Sequence, residues 1–157
     1  MYLGRDFFYP SNCLYLCPVS RILGIDYGSK KVGIAVTDPL KIIVSPLITV
    51  PTSEMFTYLK EYLSHEEVEL IVIGEPYLLD GQPAQFHPKV IEFAKKLKKL
   101  FPNFEVVMHD ETNTSMKAKN VLLASGARRK KRRDKSLVDK IAASLLLEEY
   151  LTEKGIF

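Results

Sequence analysis

Four acidic residues stand where the surrounding apolar pattern gives little reason for charge. Asp26 closes the run Arg21-Ile-Leu-Gly-Ile-Asp26, and Asp110 and Glu111 follow directly on Phe104-Glu-Val-Val-Met108 and His109. Asp139 falls in the last helical segment, with Ala142, Ala143, Leu146 and Leu147 three, four, seven and eight residues further on. Those are its neighbours on a helix face, so its charge lies on an apolar stripe, where it is costly unless paired or bound to metal. Each acid also has an ordinary reading. Asp26 could start a turn, Asp110 and Glu111 could open a helix, and Ser136-x-x-Asp139 has the form of a capping box.

Taken together they suggest chemistry. Carboxylates that converge raise one another's pKa unless cations neutralise them. A set of oxygen ligands suits Mg²⁺ or Mn²⁺. Two such ions about 4 Å apart can activate a water and stabilise the leaving oxygen of a phosphodiester. The three histidines, His65, His87 and His109, show no ligand spacing, which disfavours zinc. His109 reads as a strand-end residue with room for a minor proton-transfer role.

Convergence requires elements that bring distant segments together. Residues 21 to 26, 31 to 37 and 41 to 50 read as three strands joined by the turns Tyr27-Gly-Ser-Lys30 and Asp38-Pro39, with Pro46 marking a bulge or a sheet edge. Ser53 can cap a helix that runs to about Leu63. A strand over 69 to 73 and a Lys-rich amphipathic helix over 88 to 100 follow, then a strand over 104 to 108. A helix from Thr114 to Ser125, stopped at Gly126, and a last helix from Ser136 to Leu151 complete the chain. The order β-β-β-α-β-α-β-α-α implies an α/β fold: a five-stranded mixed sheet, three antiparallel strands and then parallel ones, flanked by helices. In that arrangement the ends of the first, fourth and fifth strands lie side by side, and the last helix can carry Asp139 across them.

The 157 residues suit a single domain over 21–157, preceded by an N-terminal extension over 1–20 that lacks a clear period. Both cysteines, Cys13 and Cys17, fall in that extension, so no disulfide framework is implied and a reducing compartment fits. The extension lacks the basic start and apolar stretch of a signal peptide. No apolar run approaches the ~20 residues that span a bilayer. The expected location is the cytoplasm.

Net charge is only +3, yet residues Arg128, Arg129, Lys130, Lys131, Arg132 and Arg133 are consecutive. Without them the chain would be net negative. A local basic run points to a polyanion partner, although it could also be a solvated loop. Lys30 and Lys31, beside Asp26, would join it on a nucleic-acid backbone.

These residues resemble the YqgF/RuvX family, described as Holliday-junction-resolvase-like and as pre-16S rRNA nucleases. Four segments carry the resemblance: Gly24-Ile-Asp-Tyr-Gly-Ser-Lys-Lys-Val-Gly-Ile-Ala-Val36, Ile71-Val-Ile-Gly-Glu-Pro76 with Asp80-Gly81, His109-Asp-Glu-Thr112, and Lys135-Ser-Leu-Val-Asp-Lys-Ile-Ala-Ala143. They extend over roughly 130 residues. The resemblance implies a ribonuclease-H-like fold and a hydrolase acting on phosphodiester bonds of precursor 16S rRNA in ribosome biogenesis. It also implies Asp26, Glu111 and Asp139 as the catalytic, metal-binding acids, which would hold the two divalent ions, with Asp110 as a close supporting catalytic residue. Two departures stand out. Thr112 replaces the arginine that usually follows the family's Asp-Glu pair, and Glu75 occupies a usually apolar position, where it could be an extra ligand or a solvent-facing turn residue.

Three rivals remain. The substrate could be a four-way DNA junction, which a resolvase cuts as a dimer; nothing in the sequence decides between monomer and homodimer. The chain could be a non-catalytic module that binds nucleic acid or the ribosome. Asp26-x-Gly-x-Lys30 also opens the sheets of actin-like ATP-using enzymes, but the chain is too short for their two lobes.

Overall fold

The computed structural model describes residues 19–78, 80–110, 114–126 and 134–156. The strands are β1 (Arg21–Tyr27), β2 (Lys31–Thr37), β3 (Val44–Pro51), β4 (Val68–Glu75) and β5 (Glu105–Asp110). The helices are α1 (Met55–His65), α2 (His87–Leu100), α3 (Thr114–Ala124) and α4 (Lys135–Glu153). The sheet order is β3-β2-β1-β4-β5. The first three strands form an antiparallel meander, and β4 and β5 run parallel to β1. This is the mixed sheet expected from the element order.

Helices cover both faces, which is why β1 and β4 are apolar nearly throughout. On one face Ile25, Ile34, Ile71 and Ile73 meet Leu59 of α1 and Val90 and Leu97 of α2. On the other, Ile22, Leu70 and Val72 meet Ala143, Leu147 and Leu151 of α4. Each fully buried Leu or Ile contributes roughly 1.5–3 kcal/mol. α3 lies against α4, with Ala118 beside Val138 and Ala142.

Several local expectations change. β3 starts at Val44 because the Asp38 carboxylate accepts the N–H groups of Leu40, Ile42 and Ile43 and ties residues 38–43 into a loop. Pro46 does mark an irregular edge: the β2–β3 register shifts between Ile34, opposite Ile48, and Ala35, opposite Pro46. Ser53 caps nothing. It lies in a 3₁₀ turn, Thr52–Glu54, that leads into α1 without a side-chain cap. The capping box at Ser136 is also overturned. Asp134 is the cap of α4, its carboxylate accepting the N–H groups of Ser136 and Leu137. That moves the helix start back, so Asp139 sits beyond the first turn. Gly126 takes φ +69° just after α3, as a helix stop should.

Candidate active site

Strand register decides what stands near Asp26. It lies opposite Gly33 in the β1–β2 pair, and Gly33 lies opposite Thr49 of β3. Side chains alternate along a strand, so Asp26 shares a face with Gly24. That face belongs to α4: a methyl group on Gly24 would meet Leu147 Cβ at 2.9 Å and the Ala143 carbonyl oxygen at 3.0 Å. One residue beyond the last β1–β4 pair lies Gly74, itself paired with His109 of β5. Thr49, Gly33, Asp26, Gly74 and His109 thus form a row across the sheet, with a glycine on each side of the acid.

α4 descends onto this row at Asp139. A Cβ on Gly33 would lie 2.2 Å from the Asp139 carbonyl oxygen, so the helix backbone rests on the strand backbone. Thr49 Oγ1 donates to the Ser136 carbonyl at 2.7 Å, and Lys31 Nζ donates to Ser136 Oγ at 3.3 Å. These bonds fix the first turn of α4 over β2 and β3.

Asp139 lines a cleft of about 110 Å³ with Gly28, Ser29, Lys30, Lys31 and Lys135. Burial pushes its carboxyl above the ordinary aspartate range, against the pull of Lys135 and Lys31, while Asp134 adds a smaller push upward. The wall made by the β1–β2 turn is held by Gly28 N–H donating to the Lys31 carbonyl and by Thr52 Oγ1 donating to the Gly28 carbonyl. A side chain at position 28 would come within 2.5 Å of the Lys31 oxygen, so this turn needs glycine.

The other expected residues divide. Asp110 is paired in register with Glu75 and alternates with Val106 and Met108, which face α1 and α2. Its charge acts on Tyr77. Asp110 therefore belongs with the far face of the sheet rather than with Asp26. Glu75 is a strand residue with local partners rather than a solvent-facing turn residue. As the last residue of β4, with its side chain 20% exposed, it accepts from Tyr77 Oη at 2.9 Å and meets His87 Nε2 at 2.6 Å. His109 packs edge-on to Tyr150 near the other end of α4, 3.7 Å from Glu153, so it is not beside Asp139. Glu111 and Thr112, the Arg128–Arg133 run, and Cys13 and Cys17 lie outside the described residues.

Sequence reasoning missed Gly33 as the seat of α4, Lys135 as a cleft residue, and Asp134 as the cap. The first had a signal. A glycine inside the apolar strand Lys31-Val-Gly-Ile-Ala-Val-Thr37 marks a close backbone approach.

A family model described as RuvX, Holliday junction resolvase, matches residues 20–153. The chain belongs to the RuvX family. Among RuvX relatives, a Flavobacterium johnsoniae protein is 42% identical over 134 residues, spanning 85% of this chain and 97% of its own length. A Christiangramia forsetii protein is 43% identical over 135 residues, spanning 86% and 100%. Both carry the provisional name of pre-16S rRNA nuclease. The fold matches Thermus thermophilus RuvC, solved in complex with a Holliday junction substrate, at a TM-score of 0.54 and 16% identity, covering 86% of this chain and 96% of that one. The ribonuclease-H-like architecture expected for this RuvX chain is therefore its fold.

Proposed function

We propose that this chain is a nuclease that hydrolyses phosphodiester bonds in structured RNA, with precursor 16S rRNA as its substrate and Asp26, Glu111 and Asp139 as its catalytic acids. One observation carries the reading. The backbone of Asp139 rests on Gly33 directly opposite Asp26, so two acids over 100 residues apart in the chain share one sheet face beside Lys30, Lys31 and Lys135.

The donor chemistry fits a hard divalent cation. Asp26 and Asp139 offer only oxygen, and the fold keeps Asp139 half-buried although burial opposes its charge. Among the described residues no three acids, histidines or cysteines gather closely enough to hold an ion, so the reading needs Glu111 to complete the set. A bound Mg²⁺ or Mn²⁺, singly or as a pair, would supply charge neutralisation at the phosphate and acidify water. The chain's own groups do the rest. Lys30, Lys31 and Lys135 hold backbone phosphates, joined by the Arg128–Arg133 run, and such contacts position a substrate without reading its sequence. Asp110, paired beside Glu75, supports Glu111 through the end of β5. The reading takes 21–157 as the nuclease domain and 1–20 as an extension, and places the protein in the cytoplasm. No helix of the described residues is long and apolar enough to cross a membrane.

The test sets a precursor 16S rRNA fragment beside a four-way DNA junction, with Mg²⁺ or Mn²⁺. Cleavage of the RNA, abolished in Asp26→Asn and Asp139→Asn while binding persists, is the expected result. Cutting of the junction alone would make the chain a resolvase. Tight binding without cleavage of either would make it a non-catalytic module.

A further inference from the structure

We infer that the groove between α1 and α2 binds the single-stranded flank of the RNA that enters the cleft; the inference rests on the nuclease reading above. This groove lies on the opposite face of the sheet from α4. Two adjoining hollows share Phe56. One, of about 220 Å³, is bounded by Tyr27, Lys89, Glu92, Phe93 and Lys96; the other, of about 500 Å³, by Thr57, Lys60, Leu100 and Phe101.

The lining combines rings with exposed cations. Tyr27 stacks on Phe93 at 4.2 Å and on Phe86 at 5.8 Å. Lys96 Nζ stands 4.7 Å from the centre of the Phe56 ring, and Lys89 Nζ 5.6 Å from that of Phe86. Lys60, Lys89 and Lys96 are exposed, and among the described residues none of them makes an ion pair. Glu92 is the single acid in the two linings. Lys89, Lys96 and Leu100 recur along one helix face, exposed above the buried ring of Phe93, so the stripe follows the groove along α2. A helix of 14 residues is about 21 Å long, enough for several nucleotides. The half-buried rings of Phe56, Phe86 and Phe101, with lysines beside them, suit a strand with unpaired bases: bases stack on the open ring surface and phosphates meet the lysines. A paired duplex hides its base faces and would leave the rings unused.

The groove also leads to the cleft. Tyr27, in its floor, follows Asp26 directly, and Gly28 to Lys31 of the next turn line the cleft on the other face. His87, the first residue of α2, contacts Glu75 at the end of β4. The N-terminal end of α2 therefore meets the same sheet end as the acids, and a strand leaving the cleft around the β1–β2 turn arrives at Phe86 and Lys89.

The test uses the full chain with Lys60, Lys89 and Lys96 all changed to glutamine, exposed positions outside the proposed catalytic set. Two labelled RNAs share a stem, and one carries an eight-nucleotide single-stranded flank. Wild type should bind the flanked RNA at least tenfold more tightly at about 0.1 M salt, and the triple variant should lose that advantage. Its log–log salt slope for flanked RNA should flatten by about 2, three released contacts at ~0.7 each. Cleavage and binding of the bare stem should not change. Equal affinity of wild type and variant for the flanked RNA overturns the assignment. So does equal loss on both RNAs, which would mark diffuse charge. If polyglutamate bound the groove and the flank added nothing, the surface would belong to an acidic protein instead. Failure of wild type to cleave any RNA would sink the nuclease reading, whereas intact cleavage with a silent triple variant would sink only this one.

Discussion

At the scale of single residues, Asp139 is held at a cost. Its carboxyl titrates above the unfolded value of 3.8 because burial disfavours its charge. The folded state therefore holds the extra proton between the two pKa values, and stability falls as pH rises through that window. The charged carboxylate is a net burden at neutral pH. Asp139→Asn should melt a few degrees above wild type at pH 7, and the gap should close as pH drops below 4. Millimolar Mn²⁺ should raise the melting temperature of wild type and leave the variant unmoved. A variant less stable than wild type at neutral pH would contradict the burial argument. Asp139 was legible in the sequence because its helical neighbours are apolar. The direction of Asp110 was not. Adjacent acids at a strand end look equivalent in a string of letters, and only pairing with Glu75 assigns Asp110 to the α2 face.

At the scale of elements, the contact between α4 and β2 is backbone on backbone. Gly33→Ala forces a methyl against the Asp139 carbonyl oxygen, with no flexible side chain to yield. Overpacking of this kind costs roughly 1–3 kcal/mol, and lifting α4 would also move Asp139 away from Asp26. The expected result is a lower urea midpoint together with loss of cleavage at least tenfold beyond any loss of folded protein. Asp134→Ala should cost about 1 kcal/mol, the usual value of an N-cap, with frayed amide exchange confined to the first turn of α4. The strand order was readable from apolar runs and turn residues. The helix starts were less so. Ser53 and Ser136 both have cap chemistry, but Ser53 is taken up in a 3₁₀ turn, and Asp134, two residues before Ser136, already accepts the first N–H groups of α4.

At the scale of the molecule, the proposed function depends on charge that runs from the cleft at one end of the sheet along the groove behind it. Lys30, Lys31 and Lys135 stand at the cleft, and Lys60, Lys89 and Lys96 line the groove behind it. If about six cations meet phosphates, the log affinity for flanked RNA should fall against log salt with a slope near −4; a slope near zero would exclude backbone recognition. The conspicuous basic run drew attention in the sequence, whereas these lysines are scattered over four segments and only folding gathers them. The outer strand β3 has a consequence of a different kind. Proline carries no amide hydrogen, and the slip in pairing beside Pro46 breaks the repeat of donors and acceptors along the sheet border. A neighbouring chain could zip onto only a few residues before losing step, so concentrated solutions should resist ribbon-like growth from that side.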